Sequence, residues 1–396
     1  MVPETTRVHS AVSADRTITT PTVYSFSGNL SERKIPSLDG MRAVAVILVI
    51  LHHLNVPFIP EGRGVLTFFV MSGFLITWLM LKESEKRGEV SIQNFYVRRA
   101  LRILPAFYVF WALYVALLLA MKGRPSASEM ADCLSAFFYV SNYRRALVPG
   151  THMVHTWALS LEEQFYLFWP WLFVAFQYDL RKLTRVLIAL IATVDIYRGI
   201  LFFSFHAPEN WLKFTFDCRI DHLLVGCLLA VLLERGVLQE FWNFVTARVC
   251  YSLVPLGLII ASISLDFRYH LPYRIAIGYV IDPLLTAILL VQVVAFGNSF
   301  WWGWLNARFV RYVGRVSYSM FLFHVFTNGL VQRAIGHQSK LIVAPVAIGL
   351  AILLGSISHY AVELKFLRLK SRFVPTTATE KLTVLSTIPL QKPVEV

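Results

Sequence analysis

Residues 64–81 read GVLTFFVMSGFLITWLML, a run with no charged side chain. Its length is close to what an α-helix needs to cross a bilayer core of roughly 30 Å, whereas a transmembrane β-strand needs only about ten residues of alternating polarity. The run does not alternate, so it predicts a membrane-spanning helix. The whole chain of 396 residues is similar, since it is 56% hydrophobic and only 15% charged, with a mean hydropathy of +0.59. The composition predicts an all-α membrane protein and not a set of water-soluble domains.

The same reasoning predicts ten membrane-spanning helices, which would place both termini on one side of the membrane. Most of the 37 Lys and Arg residues fall on that side, in the two tails and in alternate gaps. The positive-inside rule makes that side cytoplasmic. The longest gap on the other side, at about 122–156, should lie on the membrane interface or contain a short buried helix. The ten predicted spans are 41–58, 64–81, 103–121, 157–177, 184–205, 220–234, 249–265, 276–296, 312–332 and 341–362.

These spans divide the chain into a flexible cytoplasmic tail at 1–34, a membrane domain at 35–365 and a cytoplasmic C-terminal tail at 366–396. The first tail lacks the apolar core of a cleaved secretory signal, so the first span should act as an uncleaved anchor. A formal net charge of +13 does not indicate nucleic acid, because the basic residues lie between apolar runs and not on one soluble face. The four cysteines are scattered without a metal-ligand spacing, so neither a disulfide framework nor a metal site is expected.

Ionisable residues inside the spans are informative, because each costs about 2.5–3.5 kcal/mol at a helix centre unless it faces protein or water. Arg42 and His53 are eleven residues apart, which on a helix is three turns plus roughly 20°, so both should face one way about 16 Å apart. A neutral buried imidazole at His53 could act as a general base. A histidine satisfied by a neighbouring helix is an equally good reading, and His52 should play a supporting role.

Arg99 and Arg102 are three residues apart at the start of the third span. On a helix they would present two guanidinium groups to one spot, which suits a phosphate or a pyrophosphate. Snorkelling to lipid headgroups is the alternative.

Two consecutive carboxylates, Glu162 and Glu163, follow His155 just inside a predicted span. His155 lies seven residues before Glu162 and so should share its helix face. A glutamate there could orient or charge-balance a histidine, or accept a proton from a sugar hydroxyl. A polar network that only joins helices is the alternative.

A fourth group has Arg219 and Asp221 before one span and Ser317, Tyr318 and His324 within another. Arg219, Asp221, Ser317 and Tyr318 are candidates for acceptor binding or oxyanion support, as is His155. Internal ion pairing could equally explain the charged members. Ser317 has no nucleophile elbow around it and is not expected to be a nucleophile.

Six motifs, in this order, resemble the acyltransferase-3 family of integral membrane acyltransferases. They are LDGMRA at 38–43 followed by His52 and His53, FFVMSGFLIT at 68–77, FYVRRALRILP at 95–105, HTWALSLEEQFY at 155–166, RID at 219–221 and GRVSY at 314–318. The chain departs from the common pattern at Leu66, where many members have Asp or Arg, and after Glu363, where Arg-Pro is frequent.

The resemblance implies a ten-span bundle in the bacterial inner membrane that moves an acyl group, usually acetyl, from cytosolic acyl-CoA to a hydroxyl. The acceptor would be a carbohydrate, a glycolipid or a macrolide-like molecule, and acetyl-CoA would be a co-substrate with no permanently bound cofactor. Arg42 and His53 match the family's Arg-x10-His element with its catalytic histidine, and Arg99 and Arg102 match its donor-binding Arg-x-x-Arg element. Arg42 is expected to join these two arginines in binding the donor. Glu162 and Glu163 complete the predicted catalytic set.

Buried His, Glu and Arg also mark transport pathways, so a carrier or flippase for a lipid-linked sugar is the main alternative. Such carriers are commonly built from internal repeats with broken helices, and no repeat is evident here. A sensor or assembly subunit that only binds CoA or polysaccharide is a weaker alternative.

Overall fold

The computed structural model describes residues 35–150, 152–153 and 155–370, and across these residues it is helical and contains no β-strand. The all-α prediction is confirmed. The predicted N-terminal tail at 1–34 and residues 371–396 of the C-terminal tail lie outside the described residues. The predicted boundary at 365 falls inside a helical segment that continues to Lys370.

Sixteen α-helices make up this part of the chain, with short 3₁₀ or π segments between some of them. They are α1 Pro36–His53, α2 Arg63–Arg87, α3 Ile92–Lys122, α4 Ala127–Phe137, α5 Ser141–Leu147, α6 Thr156–Phe176, α7 Leu180–Phe203, α8 Glu209–Phe214, α9 Phe216–Arg219, α10 Asp221–Glu234, α11 Gln239–Val245, α12 Leu253–Tyr273, α13 Tyr279–Ala295, α14 Arg308–Ile335, α15 Lys340–Ser358 and α16 Leu364–Lys370.

Each of the ten predicted spans overlaps one of the longer helices. Within the described residues, five segments are long and apolar enough to cross a membrane. Two of the five join consecutive helices through π or 3₁₀ turns, so the count of ten crossings stays a prediction. The five segments are Arg63–Arg87, Ile92–Lys122, Leu180–Phe203, Val249–Ala295 and Lys340–Leu369.

The first helix begins and ends about five residues earlier than its predicted span. Pro36 stands in the first turn, where its fixed φ and missing N–H suit a helix start. At the other end the chain leaves the helix after His53, and Asn55 and Phe58 take positive φ values in the loop that leads to α2. His53 is therefore the last residue of α1 and is not deep within the helix.

Glycines allow two pairs of helices to pack at very short range. A Cβ atom added at Gly73 of α2 would lie 1.9 Å from the carbonyl oxygen of Leu223, so α2 and α10 pack almost backbone to backbone. A Cβ atom at Gly314 of α14 would lie 1.8 Å from the carbonyl oxygen of Asp39. Asn328, further toward the C-terminal end of α14, donates a hydrogen bond to the carbonyl oxygen of Ile50 at 3.3 Å. Helices α1 and α14 therefore run side by side in the same direction.

The gap at 122–156 contains two short helices, α4 and α5. Helix α4 starts with a capping box between Ser126 and Glu129, and it buries one face against the rest of the bundle. Helix α5 packs on α6, where the Ser141 and Ser160 hydroxyls lie 2.8 Å apart. Arg145 of α5 contributes to the lining of the cavity described below.

Candidate active site

His53 stands at the C-terminal end of α1 with its ring held by the helix itself. Its Nδ1 lies 2.9 Å from the carbonyl oxygen of Val49. Because a carbonyl can only accept, Nδ1 must carry the proton in this hydrogen bond, and a neutral ring then has an unprotonated Nε2. His53 is exposed and lines a cavity. The ring is therefore oriented as a general base requires.

His324 packs against His53, and His155 packs in turn against His324. The ring centroids of His53 and His324 are 4.7 Å apart, and those of His324 and His155 are 5.1 Å apart, both edge to face. His324 is also fixed by its own helix, with Nδ1 2.6 Å from the carbonyl oxygen of Phe321. Nε2 of His324 and both ring nitrogens of His155 are buried without a hydrogen-bond partner among the described residues. We refer to His53, His155 and His324 as the histidine cluster.

The sequence predicts these three histidines in three separate groups. His324 belongs to the group that also contains Arg219, Asp221, Ser317 and Tyr318. The link to His53 depends on the parallel packing of α1 and α14, which no spacing within one helix reveals. Across the described residues, no group of three or more His, Cys, Asp and Glu side chains could hold a metal ion.

The cavity beside His53 has a volume of about 280 Å³. Trp157, Phe214 and Tyr279 provide aromatic surface in its lining, and Leu66 also lines it. Eight of the lining residues are acidic or basic. These are Glu61, Arg63, Arg145, Lys213, Arg219, Asp266, Arg274 and Asp282.

Most of these charges form ion pairs with one another. Glu61 contacts Lys213 at 2.8 Å and Arg274 at 2.5 Å, and Arg274 also contacts Asp266 at 2.5 Å. Burial alone would raise the pKa of Glu61, but Lys213 and Arg274 outweigh it and hold that pKa at about 2. The carboxylate is therefore ionised at neutral pH and fixes the loop between α1 and α2 to α8 and to the end of α12.

Arg219 and Asp221, two residues apart in the RID motif, have different surroundings. Arg219 lines the cavity and lies over the Tyr279 ring, with Cζ 4.0 Å from the ring centroid. Asp221 is buried and accepts from Arg198 of α7 at 2.9 Å. Arg198, which is completely buried, also contacts Asp195. Both Asp195 and Arg198 lie inside the predicted span 184–205, so the rule that flagged other charges within spans would have found them.

At the other end of α1, Arg42 meets Arg99 and Arg102 of α3. The three guanidinium groups are close enough to repel one another, and Arg99 lies over the Tyr166 ring, with Cζ 3.6 Å from its centroid. Asp39 lies 4.0 Å from Arg42. We refer to Arg42, Arg99 and Arg102 as the arginine cluster. The structure thus brings together three residues that the sequence assigned to one role.

Glu162 and Glu163 lie toward the arginine cluster. The charge of Glu162 acts on Arg42, and that of Arg99 acts on Glu163. Neither carboxylate contacts a member of the histidine cluster in the part of the chain that the structure describes. The reason is the geometry of α6, where seven residues separate His155 from Glu162 and correspond to roughly 10 Å along the axis.

Ser317 and Tyr318 lie between the two ends on α14. Ser317 is buried, and the Tyr318 hydroxyl donates to the carbonyl oxygen of Ile103 at 3.0 Å. Six residues separate Tyr318 from His324, or about 9 Å along the helix. Tyr318 therefore joins α14 to α3 next to Arg102, and it does not contact His53.

Known proteins with similar sequences share one description. The chain is 30% identical over 352 residues to a Staphylococcus aureus (strain COL) protein named "Putative O-acetyltransferase", and 27% identical over 355 residues to "O-acetyltransferase OatA" of Staphylococcus aureus (strain NCTC 8325). Each alignment covers 84% of this chain but only 57% of the relative, so the chain spans a little over half the length of these relatives. No solved structure matches.

A family profile described as an acyltransferase domain matches residues 35–361, which include both the histidine cluster and the arginine cluster. This range covers most of the chain and nearly all of the described helices. The chain belongs to the acyltransferase-3 family.

Proposed function

We propose that this protein is a membrane O-acyltransferase that moves an acetyl group from cytosolic acetyl-CoA to a hydroxyl of a carbohydrate or glycoconjugate acceptor. The observation that carries the proposal is the arrangement along α1. A histidine with a free Nε2 lines a cavity at one end, and three converging arginines stand at the other. Family membership and the names of the relatives support the same activity.

The orientation of the site follows from the distribution of basic residues. If the chain crosses the bacterial inner membrane ten times with both termini in the cytoplasm, the arginine cluster faces the cytosol and the cavity opens to the opposite side. Guanidinium groups bind phosphates through charge-assisted, paired hydrogen bonds, so the arginine cluster would hold the phosphates of CoA. The pantetheine arm then has to cover the roughly 16 Å along α1 to reach His53.

The chemistry at His53 needs one proton acceptor. Nε2 takes the proton of the acceptor hydroxyl while the oxygen attacks the thioester carbonyl and forms a C–O bond. Collapse of the tetrahedral intermediate breaks the C–S bond, and the imidazolium returns the proton to the leaving sulfur. His324 and His155 keep the ring in place. Stabilisation of the oxyanion by Ser317 or Tyr318 stays a prediction, and the structure has the Tyr318 hydroxyl directed to Ile103.

Glu162 and Glu163 take a different role in this proposal from that of a second catalytic base. Because they lie beside Arg42 and Arg99, their charges limit the mutual repulsion of the three guanidinium groups. The arginine cluster can then stay together when no donor is bound. They would be positioning residues for the donor site.

The test uses membranes that contain the full chain, incubated with radiolabelled acetyl-CoA and an envelope glycan. Removing a general base typically costs 10²- to 10⁴-fold in rate, so His53→Ala should nearly abolish transfer of label to glycan. His337→Ala is the matched control, because His337 is exposed and outside the cavity. Near-normal transfer by a well-inserted His53→Ala variant would contradict the proposal. Unlabelled glycan that crosses the membrane without gaining label would indicate a carrier.

A further inference from the structure

We propose that the acceptor is a sugar that bears an anionic group, either a carboxylate or a phosphate, and that Arg219 and Arg145 bind this group in the cavity. The inference rests on the proposed function and narrows its acceptor class. It depends on an imbalance of charge within the cavity lining, on the burial of Arg219 and on the position of both arginines relative to His53.

Three acidic residues line the cavity, and each is already engaged by another basic residue. Asp282 contacts Arg63, Asp266 contacts Arg274, and Glu61 contacts Arg274 and Lys213. Arg145 and Arg219, the two remaining basic residues of the lining, form no ion pair with a carboxylate of the described chain. The cavity therefore has two positive charges that its own carboxylates do not neutralise.

Arg219 is the better buried of the two, with only 3% of its surface exposed. Its Nε and Nη1 atoms are buried and have no hydrogen-bond partner in the described residues. Asp217 and Asp221 each lie two residues from Arg219 along the chain, but neither forms an ion pair with it among the described residues, and Asp221 is paired with Arg198. A buried guanidinium without an anion is costly, so a ligand anion that accepts a hydrogen bond from Arg219 would supply a missing interaction. The Tyr279 ring lies under the guanidinium and fixes its plane.

Arg145 approaches the same space from α5. Its Cζ lies 5.2 Å from the centroid of the Phe214 ring, and its Nε is buried without a partner among the described side chains. Its charge is close enough to act on His53. An anion held between Arg145 and Arg219 would thus lie in the cavity that contains the proposed base. A sugar anchored by that group would present its hydroxyls near Nε2 of His53.

The experiment measures binding without any acetyl donor. The purified full chain in phosphatidylcholine nanodiscs is dialysed against radiolabelled methyl glucuronide, glucose 1-phosphate or neutral methyl glucoside. At least one anionic sugar should bind about tenfold or more tightly than the neutral sugar, because a hydrogen bond to a charged group contributes roughly that much. Glucuronide and glucose 1-phosphate together show whether the recognised group is a carboxylate or a phosphate.

Variants assign the preference to the two arginines. Arg219→Gln should remove most of the anionic preference, Arg145→Gln should reduce it, and Arg219→Lys should retain part of it. Arg181→Gln, at an exposed position of α7 outside the cavity, should leave it unchanged. Each variant must first elute as a single species, and Arg145→Gln tests the proposal even if Arg219→Gln does not fold.

Several outcomes would overturn the inference. Equal binding of all three sugars, or an anionic preference that survives both glutamine variants, would do so. Displacement of the anionic sugar by added phosphatidylglycerol would instead make the site one for a lipid headgroup. The proposed function fails separately, since absence of label transfer in the acetyl-CoA assay leaves the dialysis result standing. Transfer of label without any anionic preference defeats only the inference.

Discussion

The two ends of α1 differ in how many of their arginines are paired with carboxylates. Around the cavity, Arg63, Arg198 and Arg274 are each in contact with a carboxylate, and the pair of Arg63 with Asp282 joins helices that are far apart in sequence. In the arginine cluster, three guanidinium groups lie near one another, and only Arg42 has a carboxylate within 4 Å among the described residues. Paired charges fix a shape, whereas uncompensated like charges raise the affinity for a polyanion. The comparison indicates a rigid acceptor end and a donor end that gains most from its ligand.

The largest expected effect comes from removing a buried ion pair near the cavity. Arg198→Leu leaves Asp221 buried without its ion-pair partner, and such losses cost about 3–5 kcal/mol. We expect a large fall in the thermal unfolding temperature of the detergent-solubilised protein, and weak expression. The double variant Arg198→Leu with Asp221→Leu should recover part of the loss. If Arg198→Leu unfolds at the wild-type temperature, the buried pairs do not hold this end together.

The next effect separates the two ends functionally. The double variant Arg99→Gln with Arg102→Gln should raise the KM for acetyl-CoA by about 10²-fold, because two charge-assisted contacts to phosphate are lost. Acceptor affinity measured by dialysis should not change. Arg333→Gln, an exposed residue near the end of α14, is the control. An unchanged KM would show that the arginine cluster does not bind the donor.

A third prediction concerns pH at the paired end. The pKa of Glu61 is about 2 in the folded protein and about 4.3 in an unfolded chain, so ionised Glu61 stabilises the fold above pH 4.3. This contribution is lost as the pH falls from about 4.3 toward 2. The unfolding temperatures of wild type and Glu61→Gln should therefore differ at pH 7 and converge near pH 2.5. A difference that is constant over this range would mean that Glu61 does not act through its charge.

The smallest effect tests the contact between the two ends. Tyr318→Phe removes one hydrogen bond to Ile103 and should cost about 1 kcal/mol of stability, because a typical net contribution is of that size. Transfer of label should fall no more than a few-fold. A loss of 10²-fold or more would return Tyr318 to the role of an oxyanion donor.

The sequence was sufficient to identify the individual chemical groups of the donor end. The spacing Arg99-x-x-Arg102 and the position of Arg42 in the preceding apolar run are local properties, since a helix repeats its faces every three to four residues. The structure shows in addition that the three guanidinium groups lie close together and that Glu162 and Glu163 lie beside them. Glu162 and its neighbour Glu163 were expected to act with His155 because Glu162 shares its helix face, with a polar network between helices as the alternative. The 1.5 Å rise of the helix, and not the face, decides that they lie elsewhere.

Most of the cavity could not be predicted in this way. Its ion pairs join residues that are widely separated in the chain, such as Arg63 with Asp282 and Glu61 with Arg274. A pattern within one helix carries no information about which other helix it will meet. Asp195 and Arg198 do not line the cavity, although Arg198 lies against Tyr279 in its wall. This pair was predictable, because charges inside an apolar span are visible in the sequence.

The amino-acid sequence alone determined that the chain is all-helical and apolar, that ionisable residues are placed within its helices, and that Arg42 and His53 share one helix at a fixed separation. These follow from composition and from the geometry of a single helix, which short-range interactions set. Only the tertiary structure decided that His324 packs between His53 and His155, and that Arg145 and Arg219 line one cavity without an ion-pair partner among the described residues. Those facts depend on which helices come into contact, and close packing at positions such as Gly73 and Gly314 settles that across long distances in the chain.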